Sequence, residues 1–118
     1  MDITSQVESA VTTSEIKNGI CLVYTHHSTS AIITNEHESG LIQDILTKID
    51  QTFPQNAGYH HDQIDDNAHA HLGAVFLGPS QTFSVKGGAL LRGTWQNIFF
   101  IEMDGPRSRR VTVEVLGT

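Results

Sequence analysis

The series Thr82-Phe83-Ser84-Val85, Ala89-Leu90-Leu91, Asn97-Ile98-Phe99-Phe100-Ile101-Glu102-Met103 and Arg110-Val111-Thr112-Val113-Glu114-Val115-Leu116 decides the fold class. Each run is short and rich in β-branched or aromatic residues. Gly87-Gly88, Gly93 and Asp104-Gly105-Pro106 separate them, which is the punctuation of strands rather than helices. Four strands in sequence, with no helical period between them, predict antiparallel pairing. Ile98-Phe99-Phe100-Ile101 is apolar at both parities. That strand is expected to be covered on both faces, by the core on one and by a partner layer or subunit on the other.

Upstream, Ile20-Cys21-Leu22-Val23-Tyr24-Thr25 and Ser30-Ala31-Ile32-Ile33-Thr34-Asn35 read as two further strands, joined by the polar corner His26-His27-Ser28-Thr29. From Glu36 the period changes, because Leu41, Ile42, Ile45, Leu46, Ile49 and Phe53 recur at spacings of three and four. This predicts a helix that ends at Phe53-Pro54. Ile3, Val7, Ala10 and Val11 mark a short helix over residues 3–16, stopped by Asn18-Gly19. Ala68, Leu72, Val75 and Phe76 mark another, which begins near Asp66-Asn67 and finishes at Gly78-Pro79. Either Asp66 or Asn67 can cap it. The 118 residues therefore read as one α+β domain spanning 1–118, with about three helices and an antiparallel strand set.

A net charge of −6 argues against nucleic-acid or anionic-membrane binding, since neutralising phosphates needs a basic surface. No stretch approaches the length of a membrane span. The one cysteine, Cys21, lies in an apolar run and reads as a buried free thiol, which suits a reducing cytoplasm.

Chemistry concentrates between Gly58 and Gly78, which hold four of the seven histidines. If Asn67 onward is helical, His69 and His71 differ by about 200° around the axis and cannot hold one ion together. His71 shares a face with Ala68, Leu72 and Val75 and is expected to point inward, with His69 toward solvent or a neighbour. An inward His71 is either a ligand or a core imidazole bonded to a backbone carbonyl. Partners for it belong at other corners, one from His26-His27 and one from His60-His61, because adjacent residues of an extended segment face opposite ways. Three converging imidazoles would leave an open position for a catalytic divalent metal.

Outside that segment, Glu36 reads as a helix-start carboxylate, a general base or an orienting group for a ligand histidine. Gly93-Thr94-Trp95-Gln96 places a large ring after a tight turn, either in the core or as a ligand platform. Asp104-Gly105-Pro106-Arg107-Ser108-Arg109-Arg110 gathers three guanidiniums, suited to phosphate, to a solvated hairpin or to ion pairs between subunits.

His27-Ser28-Thr29-Ser30-Ala31-Ile32, Asn35-Glu36, Tyr59-His60-His61, Asp66-Asn67-Ala68-His69-Ala70-His71-Leu72, Gly78-Pro79-Ser80, Gly93-Thr94-Trp95-Gln96 and Asp104-Gly105-Pro106-Arg107 together resemble the YjbQ-like family, also called the secondary thiamine-phosphate synthase family. The motifs run in order along nearly the whole chain. The resemblance implies an α+β fold with an antiparallel β-sandwich-like core, assembled as a homotrimer with a polar pocket near the subunit interface. It selects His27, with Ser28 standing where the family usually has Thr, and it selects His61 and His71. His26, His60 and His69 are left as extras.

The activity the resemblance implies is thiamine-phosphate formation from a pyrimidine methyl diphosphate and a thiazole phosphate, with release of pyrophosphate. On that reading the metal ligands are His27, His61 and His71, and the catalytic set is Glu36, His27 and Asn35. Thr94, Trp95, Gln96, Arg107 and Asn67 bind the phosphorylated substrate. Three histidines suit zinc or another transition metal, whereas a diphosphate substrate suits magnesium. The alternative is a non-catalytic metal- or metabolite-binding trimer whose thiamine activity is incidental.

Overall fold

In the computed structural model, which describes Met1–Thr118, strand β1 (Asn18–Thr25) is the spine of the larger sheet. Its buried residues alternate, with Cys21, Val23 and Thr25 facing inward, as a half-covered strand requires. Strands β3 (Ser80–Lys86) and β6 (Val111–Gly117) flank β1, and β4 (Ala89–Leu91) extends the sheet to give the order β4-β3-β1-β6. A second sheet pairs β2 (Ser30–Asn35) with β5 (Asn97–Glu102) in the register Ala31↔Ile101, Ile32↔Phe100 and Ile33↔Phe99.

Every pairing is antiparallel. Of the four C-terminal strands, only β3 and β4 pair with each other. β5 crosses to β2 and β6 to β1, so the series builds two sheets rather than one meander.

Helix α1 (Thr4–Ser14) supplies Val7 and Val11 to the core, and Ile3 just before it joins them. They pack with Cys21, Val23, Ile32, Phe83, Val85 and Ile98. Asp2 fixes the helix entry: its carboxylate accepts from the Thr4 N–H at 2.9 Å and from the Thr4 hydroxyl. That hydroxyl in turn accepts from the Ile98 N–H at 2.9 Å. Ile3 N–H also donates to Ile98 O at 2.8 Å, so residues 1–3 run along the second edge of β5.

Helix α2 (Ser39–Thr52) begins three residues after Glu36. Glu38 is its cap, and the Glu38 carboxylate accepts from the N–H groups of Gly40 and Leu41. Ile42, Ile45 and Leu46 lie over Ile33, Phe99 and Ile101, around a gap of about 70 Å³. The chain's own helix is therefore the layer over the second face of β5. None of the residues of α2 is buried.

Helix α3 (Ala68–Leu77) packs against β2, preceded by one 3-10 turn at His60–Gln63. Its buried residues are the small ones, Ala68, Ala70, Gly73 and Ala74, while Val75 and Phe76 are 74% and 75% exposed. Close approach explains the choice, since a Cβ on Gly73 would lie 2.6 Å from Met103 Sδ. Three helices on antiparallel sheets make this an α+β fold, and no helix is long and apolar enough to cross a membrane.

The β1–β6 ladder is closest at its end, where a Cβ on Gly19 would sit 1.9 Å from Leu116 O. Backbone cannot swing aside as a side chain can. Gly19→Ala is expected to lower stability by about 1–3 kcal/mol in chemical denaturation. Gly40→Ala serves as the control, because its Cβ would meet only the Glu38 carboxylate at 3.1 Å.

Candidate functional site

The last residue of β5 is its only charged one, a carboxylate after the apolar run Ile98–Ile101, and the site is built around it. The Glu102 side chain is 9% exposed and its partner Arg109 is 20% exposed. Glu102 Oε1 accepts from Arg109 Nε at 2.7 Å, and Oε2 accepts from the Thr29 hydroxyl at 2.7 Å and the Asp104 N–H at 2.9 Å. Burial pushes the Glu102 carboxyl upward, but the bonds from Thr29, Arg109 and Asp104 and the Arg109 charge outweigh it. The net pKa lies below the ordinary carboxylate value. Strand register places these partners, because Ser30 pairs with Glu102 and Met103 N–H donates to Thr29 O at 3.0 Å.

From this hub one arm reaches His27, whose Nδ1 lies 3.3 Å from Arg109 Nη1. A guanidinium only donates, so Nδ1 accepts and the neutral ring carries its proton on Nε2. The other arm runs through Asp104, which accepts from Asn67 Nδ2 at 2.9 Å. The Asn67 bond is the main cause of a lowered Asp104 pKa; burial opposes it and the Arg107 charge assists it. Arg107 folds back on the same residue, its Nε donating to Asp104 O at 2.8 Å.

With its amide nitrogen committed to Asp104, Asn67 presents Oδ1 to His61 Nε2 at 3.0 Å. His61 Nε2 must donate, and its Nδ1 keeps a lone pair. The His61 ring stands edge-on to His71, with centroids 4.9 Å apart. Both line an open pocket of about 530 Å³ together with Tyr59, His60 and Leu72.

Metal-binding histidines characteristically donate their second ring nitrogen to an oxygen acceptor that is itself anchored. His61, with Asn67 and Asp104 behind it, fits that pattern, and His71 stands beside it. His27 does not fit, because Arg109 occupies the Nδ1 lone pair and the proton occupies Nε2. The chain brings together no group of three His, Cys, Asp or Glu residues able to hold a metal. The expected trio His27, His61 and His71 thus resolves, within one chain, into a pair and a separate ring.

Other expected residues lie elsewhere. His69, expected toward solvent or a neighbour, has a buried Nδ1 without a hydrogen-bond partner, while His71, expected inward, borders the open pocket. The small residues of α3 take the buried face and rotate the pair from the orientation its large apolar residues predict. Asn67 directs its side chain to Asp104 and His61 and makes no cap bond. Asn35 Oδ1 accepts from the Glu36 N–H at 2.8 Å, and no hydrogen bond joins either side chain to the Glu102 network.

Thr94, Trp95 and Gln96 form the β4–β5 turn, where Arg92 binds Gln96 O and ties the turn to Glu8 of α1. Trp95 is 68% exposed. Glu102, Thr29, Asp104 and Arg109 were not singled out by sequence reasoning as a hub. Glu102 gives the one signal that could have found them, a lone charge ending the doubly apolar strand.

The family model described as "UPF0047 protein YjbQ-like" matches residues 1–118. A UPF0047 protein of Methanothermobacter thermautotrophicus is 52% identical over 117 residues, covering 99% of this chain and 82% of that protein. The UPF0047 protein YugU of Bacillus subtilis is 34% identical over 121 residues, covering 99% and 89%. The crystal structure of a YbjQ-like protein of unknown function from Sulfolobus solfataricus superposes with a TM-score of 0.98. It is 60% identical and covers 100% of this chain and 86% of that one.

The lowered Glu102 pKa sets a pH dependence. The unfolded chain takes up this proton more readily than the folded one, so the contribution is complete above the ordinary value of 4.5 and is lost as pH falls through the folded value. Glu102→Gln is expected to cost about 1–3 kcal/mol at neutral pH and to flatten the acid limb of stability measured by denaturant titration. Asp2 and Asp104 also have lowered values, so some acid limb remains.

Proposed function

The chain belongs to the UPF0047, YjbQ-like family, and on that premise we propose that it is a small homotrimeric enzyme acting on a phosphorylated small molecule. The best label for the reaction is thiamine-phosphate synthase. In that reaction a thiazole nitrogen attacks the methylene of a pyrimidine methyl diphosphate; the C–N bond forms as the C–O bond breaks, and pyrophosphate leaves. The observation that carries the proposal is the His61–Asn67–Asp104 relay, which orients an unprotonated imidazole nitrogen beside His71 in an open pocket.

A divalent cation would be held by His61 and His71, with the remaining positions left to substrate oxygens and water. Imidazole favours zinc or another transition metal, and magnesium would arrive with the diphosphate. Bound there, the ion supplies positive charge to the leaving group. Arg107, which bonds Asp104 but is 52% exposed, would offer its guanidinium to phosphate in preference to Arg109, which is 20% exposed and engaged by Glu102 and His27.

The trimer is supported by shape. The radius of gyration is 15.8 Å, against about 13.5 Å for a compact chain of this length, and only 20 of 118 residues are buried. In such an assembly the exposed Trp95 turn, with Thr94 and Gln96, would reach the pocket of a neighbouring subunit. One observation favours a second reading, a non-catalytic metal- or metabolite-binding trimer: Glu36, the acid–base candidate, makes no side-chain hydrogen bond.

The test uses untagged protein, the two phosphorylated precursors, and magnesium or zinc. Pyrophosphate release is expected, reduced roughly 10²-fold in His61→Ala. Metal content is expected to be lost in His71→Ala and kept in His27→Ala. Retained metal without pyrophosphate release with any divalent ion would favour the second reading. Wild-type protein free of metal and without pyrophosphate release would overturn both.

A further inference from the structure

Strand β6 pairs with β1 on one side and with no strand on the other. Outside the β1 ladder no backbone group of residues 111–117 is hydrogen-bonded, so alternate N–H and C=O groups along the strand point outward and free. The other edges are closed or short. Residues 1–3 pair with β5, Gly78 O and the Gln81 side-chain amide bond Ile32 of β2, and β4 has only three residues. β6 also lacks the features that protect an edge: it has no proline or lysine, its register against β1 runs without a bulge, and its one charge, Glu114, is exposed.

Beside that edge lies an open groove of about 420 Å³. Val111 and Val113 of β6, Phe100 of β5 and Ile3 and Val7 at the start of α1 give it an apolar lining. A strand added to β6 would run about 4.8 Å from it. Every second side chain would then point to the face of Val111 and Val113, into the groove. Free backbone groups supply the bonds and the groove takes alternate side chains, which are the two components of strand addition. A small apolar molecule would leave the edge unpaired, and so would a helix, whose backbone groups are bonded along its own axis.

We propose that β6 and its groove form a strand-addition site for an extended segment of the kind that the longer relatives carry outside the matched region. The Methanothermobacter and Sulfolobus relatives cover almost all of this chain, yet it covers 82% and 86% of theirs. Their additional residues are more than enough for one strand of about 5–6 residues. The site is independent of the proposed reaction, since no histidine borders the groove.

The experiment is an amide NMR titration of the full isotope-labelled chain with two synthetic peptides, the residues of the Methanothermobacter protein before and after its matched region. One of them is expected to give saturable shifts in residues 111–117 and to slow amide exchange there roughly tenfold or more. The same residues in scrambled order are expected to do neither. Gln6→Trp fills the groove from an exposed position of α1 and is expected to weaken binding roughly tenfold or more. Ser108→Trp fills it from the loop before β6 with the same expected result, whereas Thr12→Trp, further along α1 and off the groove, is expected to change nothing.

No saturable binding of either peptide, shifts confined to residues away from β6, equal binding of the scrambled sequence, or unchanged affinity in both groove variants would overturn the proposal. Exchange protection of β6 that rises with protein concentration in the absence of peptide would assign the edge to a second copy of the chain and would overturn it as well.

Discussion

The structure around the site depends on the Glu102–Arg109 ion pair. A carboxylate at 9% exposure is tolerable only when nearly all its acceptor positions are filled. The partners that fill them come from two loops: Thr29 from the β1–β2 corner, and the Asp104 N–H and Arg109 from the two ends of the β5–β6 connection. One charge thereby fixes the β1–β2 corner against the β5–β6 connection and holds the two ends of that connection together. Those loops carry His27, Asp104 and, through Asp104, Asn67. The hub also joins the two sheets, since β5 ends in one and Arg109 leads into the other.

A consequence is that the histidines are not equivalent. Hydrogen bonding alone separates His61, which offers a lone pair and has an anchored acceptor behind it, from His27, whose lone pair is occupied by Arg109. Burial separates His69, whose Nδ1 is buried, from His71, bordering the open pocket. His26 bonds Thr112 on the sheet, and His37 bonds Asp2 beside the α1 entry. A chain with seven histidines thus holds them in at least four chemical settings.

Local structure was legible where the period was clear. The strands Ser30–Asn35 and Ala89–Leu91 and the helix ending before Gly78 follow from β-branching, glycine punctuation and apolar spacing. The YjbQ-like resemblance, carried by motifs along the whole chain, identified the family. What sequence could not give was the outcome of competition between distant groups. Glu38 rather than Glu36 caps α2 because its carboxylate reaches two free N–H groups. Strand order depends on which edges β5 and β6 meet, which no local pattern encodes. The orientation of α3 follows from close backbone approach, which favours Ala and Gly over the larger apolar residues used to predict its buried face.

The central claim is that the Glu102 hub sets the protonation pattern of the site histidines, and imidazole nitrogen NMR tests it most directly. Spectra would be taken well above the ordinary histidine pKa of about 6.5. His61 should carry its proton on Nε2 with a free Nδ1. His27 should likewise be protonated on Nε2, with Nδ1 showing the shift of a hydrogen-bond acceptor, and that shift should disappear in Glu102→Gln as Arg109 is released. A proton on Nδ1 of His61 or His27, or a His27 signal unchanged in the variant, would contradict the account.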